Sequence, residues 1–230
     1  MIKRQQNFIF WYVGLALGLG LLDLLFPDQS FLWGIRFFLI LSLGIWATFF
    51  ALQGRMPFIG AAAYLLAALG DGFLYLPLAL QRPGFPLGGE LSFLLSYLLL
   101  TWTLIQVKSL RKSFPRSVSI LLPCAALLLL GFSPSPGLPL AFCTLGALLV
   151  LNISAYTLWK EETPRRPFLQ SAFSATFAML LCDLLVGLGL YVPVPQGVYE
   201  TGLLLTWIVY LFGWSAFLPH LQKTLNGFSP

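Results

Sequence analysis

The chain has 230 residues, of which 58% are hydrophobic and only 9% are Asp, Glu, Lys or Arg. Soluble domains carry about 25% charged residues to wet their surfaces. With a mean hydropathy of +0.86, this composition excludes an ordinary water-soluble enzyme, a secreted disulfide scaffold and a disordered chain.

The opening Met1-Ile-Lys-Arg-Gln-Gln-Asn7 leads into an apolar stretch with no clear small-residue cleavage site before Asp23. It reads as an uncleaved first span. A bilayer span needs roughly 17–25 mostly apolar residues. Cutting at Pro, Gly and charge clusters predicts eight: 8–26, 31–52, 58–80, 91–107, 117–132, 138–159, 168–191 and 198–219. The fifth is short and contains Pro123, between breaks at Phe114-Pro115-Arg116 and Ser133-Pro134-Ser135-Pro136-Gly137. The expected fold is all-α, a polytopic helical bundle forming one transmembrane domain over 1–230.

The net charge of +5 is explained by topology. One side of the predicted bundle collects Lys3, Arg4, Arg55, Lys108, Arg111, Lys112, Arg116, Lys160, Arg165, Arg166 and Lys223. The other has Arg82, with Arg36 near the start of the second span. Basic residues concentrate on the cytoplasmic side, so both termini are expected there, in a bacterial inner membrane. The basic excess is then an insertion signal, and no nucleic-acid partner is expected. Trp11, Tyr12, Trp33, Trp159, Tyr191 and Tyr199 fall near predicted interfaces as an anchoring belt. Gly14-x-x-x-Gly18 matches a small-residue packing motif. Cys124, Cys143 and Cys182 lie in apolar runs and read as small core residues.

The acids are Asp23, Asp28, Asp71, Glu90, Glu161, Glu162, Asp183 and Glu200. Asp71 and Asp183 fall in the third and seventh spans, and an order of features repeats around them. Pro-Phe (57–58 and 167–168) precedes each Asp; a loop closing on Glu90 or Glu200 follows, then Leu-Leu-Leu-Thr-Trp at 98–102 and 203–207. This predicts a tandem 4+4 repeat with halves 1–114 and 115–230, one way membrane bundles are built. A mid-membrane Asp costs roughly 2.5–3.5 kcal/mol and normally faces the interior with a partner. Gly60, Ala63, Ala67 and Asp71 recur at helical spacing, as do Ala172, Thr176, Met179, Asp183 and Gly187. Both carboxyls are therefore expected to face a common interior. The plainer reading is that each only hydrogen-bonds a neighbour to fix packing. Glu90 and Glu200 are expected to begin helices, where a carboxylate suits the helix dipole, or to line the mouth of a cavity.

Several chemistries lack their residues. His220 is the only histidine, so zinc-protease and Ser-His-Asp constellations are absent. Three scattered cysteines make no metal cluster, and no phosphate-binding loop is present. The Asn152-Ile-Ser154 sequon sits inside a span and reads as chance. What remains is a carboxylate pair, and low dielectric with mutual repulsion disfavours charging both at once. One can then serve as general acid while the other activates water. That suits acid-labile bonds cleaved through an oxocarbenium-like state, such as a vinyl ether, in a lipid-like substrate.

Leu69-Gly70-Asp71-Gly72-Phe73-Leu74 with Phe93-x-x-Ser96-Tyr97, and Phe177-Ala178-Met179-Leu180-Leu181-Cys182-Asp183, resemble elements of the YhhN lysoplasmalogenase family. Tyr97 stands where that family has His, and Cys182 where it has Ser, so the chain looks like a divergent member. The resemblance implies an eight-span hydrolase that cleaves the vinyl ether of lysoplasmalogen to a fatty aldehyde and a glycerophospho-base. It implies Asp71 and Asp183 as catalytic residues and no cofactor or metal. Tyr97, Glu90 and Glu200 are the expected substrate-binding residues, and a membrane lipid or lysophospholipid is the expected partner. The alternatives are a proton-coupled transporter and a non-catalytic sensing or scaffold module.

Overall fold

The structure, a computed structural model, describes residues 2–26, 30–80, 85–105, 137–161, 166–191 and 206–218. Among the described residues all regular structure is helical: α1 (Ile2–Leu25), α2 (Ser30–Leu52), α3 (Phe58–Ala79), α4 (Pro86–Ile105), α5 (Gly137–Glu161), α6 (Arg166–Tyr191) and α7 (Thr206–Leu218). Four of these, α2 to α5, are long and apolar enough to cross a membrane. A helix satisfies its own backbone hydrogen bonds, which hydrocarbon cannot do for it. The all-helical, membrane-compatible architecture expected from composition is therefore present. The predicted span 117–132 lies outside the described residues, as do 198–205 of the last one.

Helices adjacent in sequence pack against each other from α2 through to α6. The turn between α2 and α3 is made by Gly54, whose φ of +67° is the left-handed conformation glycine favours. Its N–H reaches the Ala51 carbonyl and the Arg55 N–H reaches that of Phe50, both at 2.9 Å. This pattern closes the end of α2. Where α3 meets α4, Gly70 and Gly89 lie backbone to backbone. A Cβ on Gly70 would stand 3.1 Å from the Gly89 oxygen, and one on Gly89 would stand 3.2 Å from the Gly70 oxygen.

Side-chain hydrogen bonds then tie neighbouring helices. Ser96 Oγ donates to the Ala63 carbonyl at 2.7 Å, and Asn152 Nδ2 donates to Thr176 Oγ1 at 3.1 Å. Bonds of this kind contribute on average about 0.6 kcal/mol each in membrane bundles. The buried Asn152 is thus a packing residue, in keeping with its dismissal as a sequon.

The last described helix, α7, packs on three others. Trp214 meets Tyr64 of α3 and Tyr97 of α4, while Gly213 lies against α6. A Cβ on Gly213 would come within 2.9 Å of Met179 Cγ and 3.0 Å of the Ala175 carbonyl oxygen. The second of these is backbone and cannot swing aside.

Some sequence expectations change here. A Cβ on Gly14 or Gly18 would meet nothing within 4 Å, so this motif packs no helix of the described structure. Among the aromatic residues expected at interfaces, Trp11 is 69% exposed, as an anchor would be. Tyr12 instead faces α2 and shares a hydrogen bond with Ser42. Trp33 stacks on Tyr75 at 5.5 Å, and Trp159 stacks on Phe173 at 5.6 Å. Those rings pack helix to helix.

Overpacking a tight contact typically costs about 1–3 kcal/mol. Gly213→Ala is therefore expected to lower the thermal unfolding temperature in detergent. Gly14→Ala and Gly18→Ala should leave it unchanged, which the same melting experiment checks.

Candidate functional site

The small-residue face of α3 turns inward as the periodicity required. Ala63, Ala67 and Asp71 are all at most 3% exposed, and Asp71 itself is 1% exposed. The matching face of α6 carries buried Ala172, Thr176 and Met179 and then Asp183, which is half-buried. The helices bring the two carboxyls into one interior, since the tyrosines bonded to them both pack on Phe93 and Trp214.

Each carboxyl is held by a tyrosine. Tyr210 of α7 donates its hydroxyl hydrogen to Asp71 Oδ2 of α3. Tyr97 of α4 donates to Asp183 Oδ2 of α6 at 3.0 Å. The bonds are crossed along the chain: the first aspartate takes the last tyrosine, and the second aspartate takes the first tyrosine. The aspartates are 112 residues apart and the tyrosines 113.

Aromatic rings fix both tyrosines. Trp214 stacks on Tyr97, with centroids 6.0 Å apart and planes at 19°, and meets Tyr210 at 6.2 Å. On the other side Phe93 lies 6.3 Å from Tyr97 and 6.5 Å edge-on from Tyr210. Two rings thus clamp both phenols. Tyr64 braces Trp214 from α3, with ring centroids at 5.0 Å, and donates to the Trp214 carbonyl at 2.8 Å. The indole Nε1–H of the buried Trp214 has no hydrogen-bond partner.

A cation lies beside this cluster. Arg36, read from sequence as lying near the start of the second span, is 2% exposed in the bundle. Its guanidinium carbon sits 4.5 Å from the Trp33 ring and 4.8 Å from that of Trp207. Stacking of this kind contributes up to about 2 kcal/mol when desolvated. Tyr75 packs against both indoles, with ring centroids at 5.5 and 5.4 Å.

The sequence-selected residues divide accordingly. Asp71, Asp183 and Tyr97 come together. Glu90 does not start its helix, because α4 begins at Pro86 and has no acid in its first turn. Its carboxyl is half-buried, its Oε2 has no hydrogen-bond partner, and it shares a helix face with Phe93 and Tyr97. The dipole-capping role is therefore corrected. Glu200 lies outside the described residues, and so does the side chain of Asp23.

Of the two Leu-Leu-Leu-Thr-Trp segments, Thr101 and Thr206 are both buried, whereas Trp102 is 55% exposed and Trp207 is 4% exposed against Arg36; residues 203–205 lie outside the described residues. Sequence reasoning passed over Tyr210 and Trp214, and read Arg36 only as a basic residue near the start of the second span. Moving Tyr97 forward by the spacing of the two aspartates reaches 209, one residue from Tyr210. Trp207, Tyr210 and Trp214 also recur on one helix face, the second available signal.

Among the described residues no group of three or more His, Cys, Asp and Glu side chains is placed to hold a metal ion. Chemically, the arrangement offers two carboxyls, each hydrogen-bonded to a phenol, within an apolar, aromatic shell.

Removing the donor from a buried acceptor costs about 1–3 kcal/mol. Tyr210→Phe is expected to destabilise the protein by that amount in thermal melts. Tyr97→Phe should cost less, because Asp183 is only half-buried. Comparison with protein-family models, characterised proteins and solved structures gives no match to this chain.

Proposed function

We propose that this membrane protein is a lipid hydrolase that cleaves an acid-labile ether bond with Asp71 and Asp183. The vinyl ether of a lysoplasmalogen is the leading substrate. The observation that carries the reading is the pair of crossed Tyr–Asp hydrogen bonds, which gather two ionisable carboxyls in one aromatic interior. Carboxyls are expensive at that depth and normally mark function. The site's chemistry also matches the reaction's needs, a proton source and a proton acceptor close together.

In this reading one carboxylic acid gives its proton to the vinyl carbon remote from the ether oxygen, leaving an oxocarbenium-like centre. The other carboxylate takes a proton from water as the water oxygen bonds to that centre. The resulting hemiacetal breaks its carbon–oxygen bond to release a fatty aldehyde and return the hydroxyl of the glycerophospho-base. One water is consumed and no redox change occurs. Tyr97 and Tyr210 hold the carboxyls at fixed angles, which keeps reorganisation small in the transition state. The tyrosine at 97 changes the hydrogen-bonding site from the histidine of the YhhN pattern to a phenol, which still donates to an aspartate.

A second reading, a proton-coupled transporter, is favoured by the crossing itself. If 1–114 and 115–230 are repeat halves, both bonds run between them, and protonation that breaks the bonds would free one half to move against the other. We also place the Gly54 turn, with Arg55 and both termini, on the cytoplasmic side by the charge rule. A cysteine at Arg55 should then be shielded from an impermeant thiol reagent in intact cells, and one at Leu80 should react. The reverse pattern would invert the topology.

General acid–base groups typically contribute 10²–10⁴-fold. Asp71→Asn and Asp183→Asn are each expected to lower aldehyde release from lysoplasmalogen by roughly that factor, with membrane insertion retained. Full turnover in either variant contradicts the hydrolase mechanism, and proton-dependent solute uptake by liposomes without lipid turnover supports the transporter instead.

A further inference from the structure

The two Tyr–Asp bonds join different pairs of helices, yet Trp214 touches the donor of each. It stacks on Tyr97, which donates to Asp183, with centroids 6.0 Å apart and planes at 19°. It also meets Tyr210, which donates to Asp71, at 6.2 Å and 63°. The orientation of one indole therefore bears on both carboxyls.

Trp214 is not held there by its own polar group. Its indole Nε1–H is buried and has no hydrogen-bond partner, although such groups are nearly always paired in folded proteins. Tyr64 of α3 holds it instead, by two contacts. Its ring stands edge-on to the indole at 5.0 Å, and its hydroxyl donates to the Trp214 carbonyl oxygen at 2.8 Å. Both residues are 1% exposed, so water does not compete for that bond.

Tyr64 cannot serve the carboxyls directly. A phenol has one hydrogen to donate, and here it is spent on a carbonyl. Tyr64 and Asp71 share a face of α3 but stand seven residues apart, about 10 Å along the helix axis. Any influence of Tyr64 on the acids must pass through Trp214.

We infer that Tyr64 is a positioning residue for both carboxyls: through Trp214 it sets the orientation of Tyr97 and Tyr210, and with it the hydrogen bonds to Asp183 and Asp71. Paired acid–base work needs both groups held in productive geometry at once, by side chains that are themselves locked from behind. One ring leaning on two donors supplies that from a single anchor. The competing role is a plain tie between α3 and α7, as the Asn152–Thr176 bond ties α5 to α6. The reaction that Tyr64 serves rests on the hydrolase reading; its link to the two carboxyls does not.

The test is infrared spectroscopy of the full-length protein in nanodiscs, labelled with ¹³C-carboxyl aspartate, alongside turnover of lysoplasmalogen. Asp71→Asn and Asp183→Asn identify the two carboxyl bands. Tyr64→Phe removes one hydroxyl and keeps the ring, and it is expected to shift both bands together. Trp214→Phe should do the same, whereas Tyr97→Phe and Tyr210→Phe should each shift one. Asn152→Ala, which removes a buried interhelical bond elsewhere, should shift neither and keep the wild-type rate. Tyr64→Phe is expected to lower aldehyde release about tenfold, within the roughly 10²-fold that a small misplacement of reacting groups can cost.

A Tyr64→Phe protein in which neither band moves, or only one, overturns the inference. So does Asn152→Ala if it moves both bands equally, and so does full turnover by Tyr64→Phe beside an active wild type. If Trp214→Phe fails to insert, Tyr64→Phe decides alone. If both bands move in Tyr64→Phe but the wild type releases no aldehyde, the link from Tyr64 to the carboxyls stands and the hydrolase reading falls.

Discussion

A carboxyl in hydrocarbon has no water to answer it, so it needs a donor held in place by the protein. This bundle meets that need twice, with a phenol from a different helix each time. The consequence reaches well beyond two hydrogen bonds. Phe93 and Trp214 pack against both phenols, stacked on Tyr97 and edge-on to Tyr210. Trp214 can reach that position only if α7 lies close to α6, and the missing side chain of Gly213 permits the approach. The acids, the aromatic shell and the glycine contact thus form one connected requirement.

The crossing of the bonds ties early and late parts of the chain to each other. Neither aspartate is satisfied by its sequence neighbour, so α3 and α4 depend on α6 and α7 for their polar partners. The two bonds span 86 and 139 residues of sequence. The two units also share a wall of rings, Phe93 and Trp214. Such coupling suits proton exchange, in catalysis or in transport.

Much of this arrangement was legible in the sequence, and the reasons differ from residue to residue. The scarcity of charge placed the chain in a membrane, and helical spacing of small residues put Asp71 on an interior face. The same spacing found the α6 stripe. Periodicity reports which face of a helix is apolar, though, and not which helix it meets. Tyr210 was therefore invisible as the partner of Asp71, since the pairing is set by tertiary packing between α3 and α7. The partners of Arg36 were hidden for a related reason. A charge rule sorts basic residues by side of the membrane, and two indoles can hold a guanidinium within the bundle where that rule expects an interface. The pentapeptide match says little about environment, since Thr101 and Thr206 are both buried while Trp102 is exposed and Trp207 is not. Glu90 was misplaced by a boundary, with α4 starting four residues earlier than the carboxylate.

Infrared spectroscopy of protein labelled with ¹³C-carboxyl aspartate tests the crossed pairing most directly, because a carboxyl band moves when its hydrogen-bond donor is removed. Asp71→Asn and Asp183→Asn identify the two bands. The account predicts that Tyr210→Phe shifts the Asp71 band and leaves that of Asp183 nearly in place, while Tyr97→Phe does the reverse. If Tyr97→Phe moves the Asp71 band and Tyr210→Phe that of Asp183, or if neither substitution moves either band, the crossed Tyr–Asp interior is contradicted.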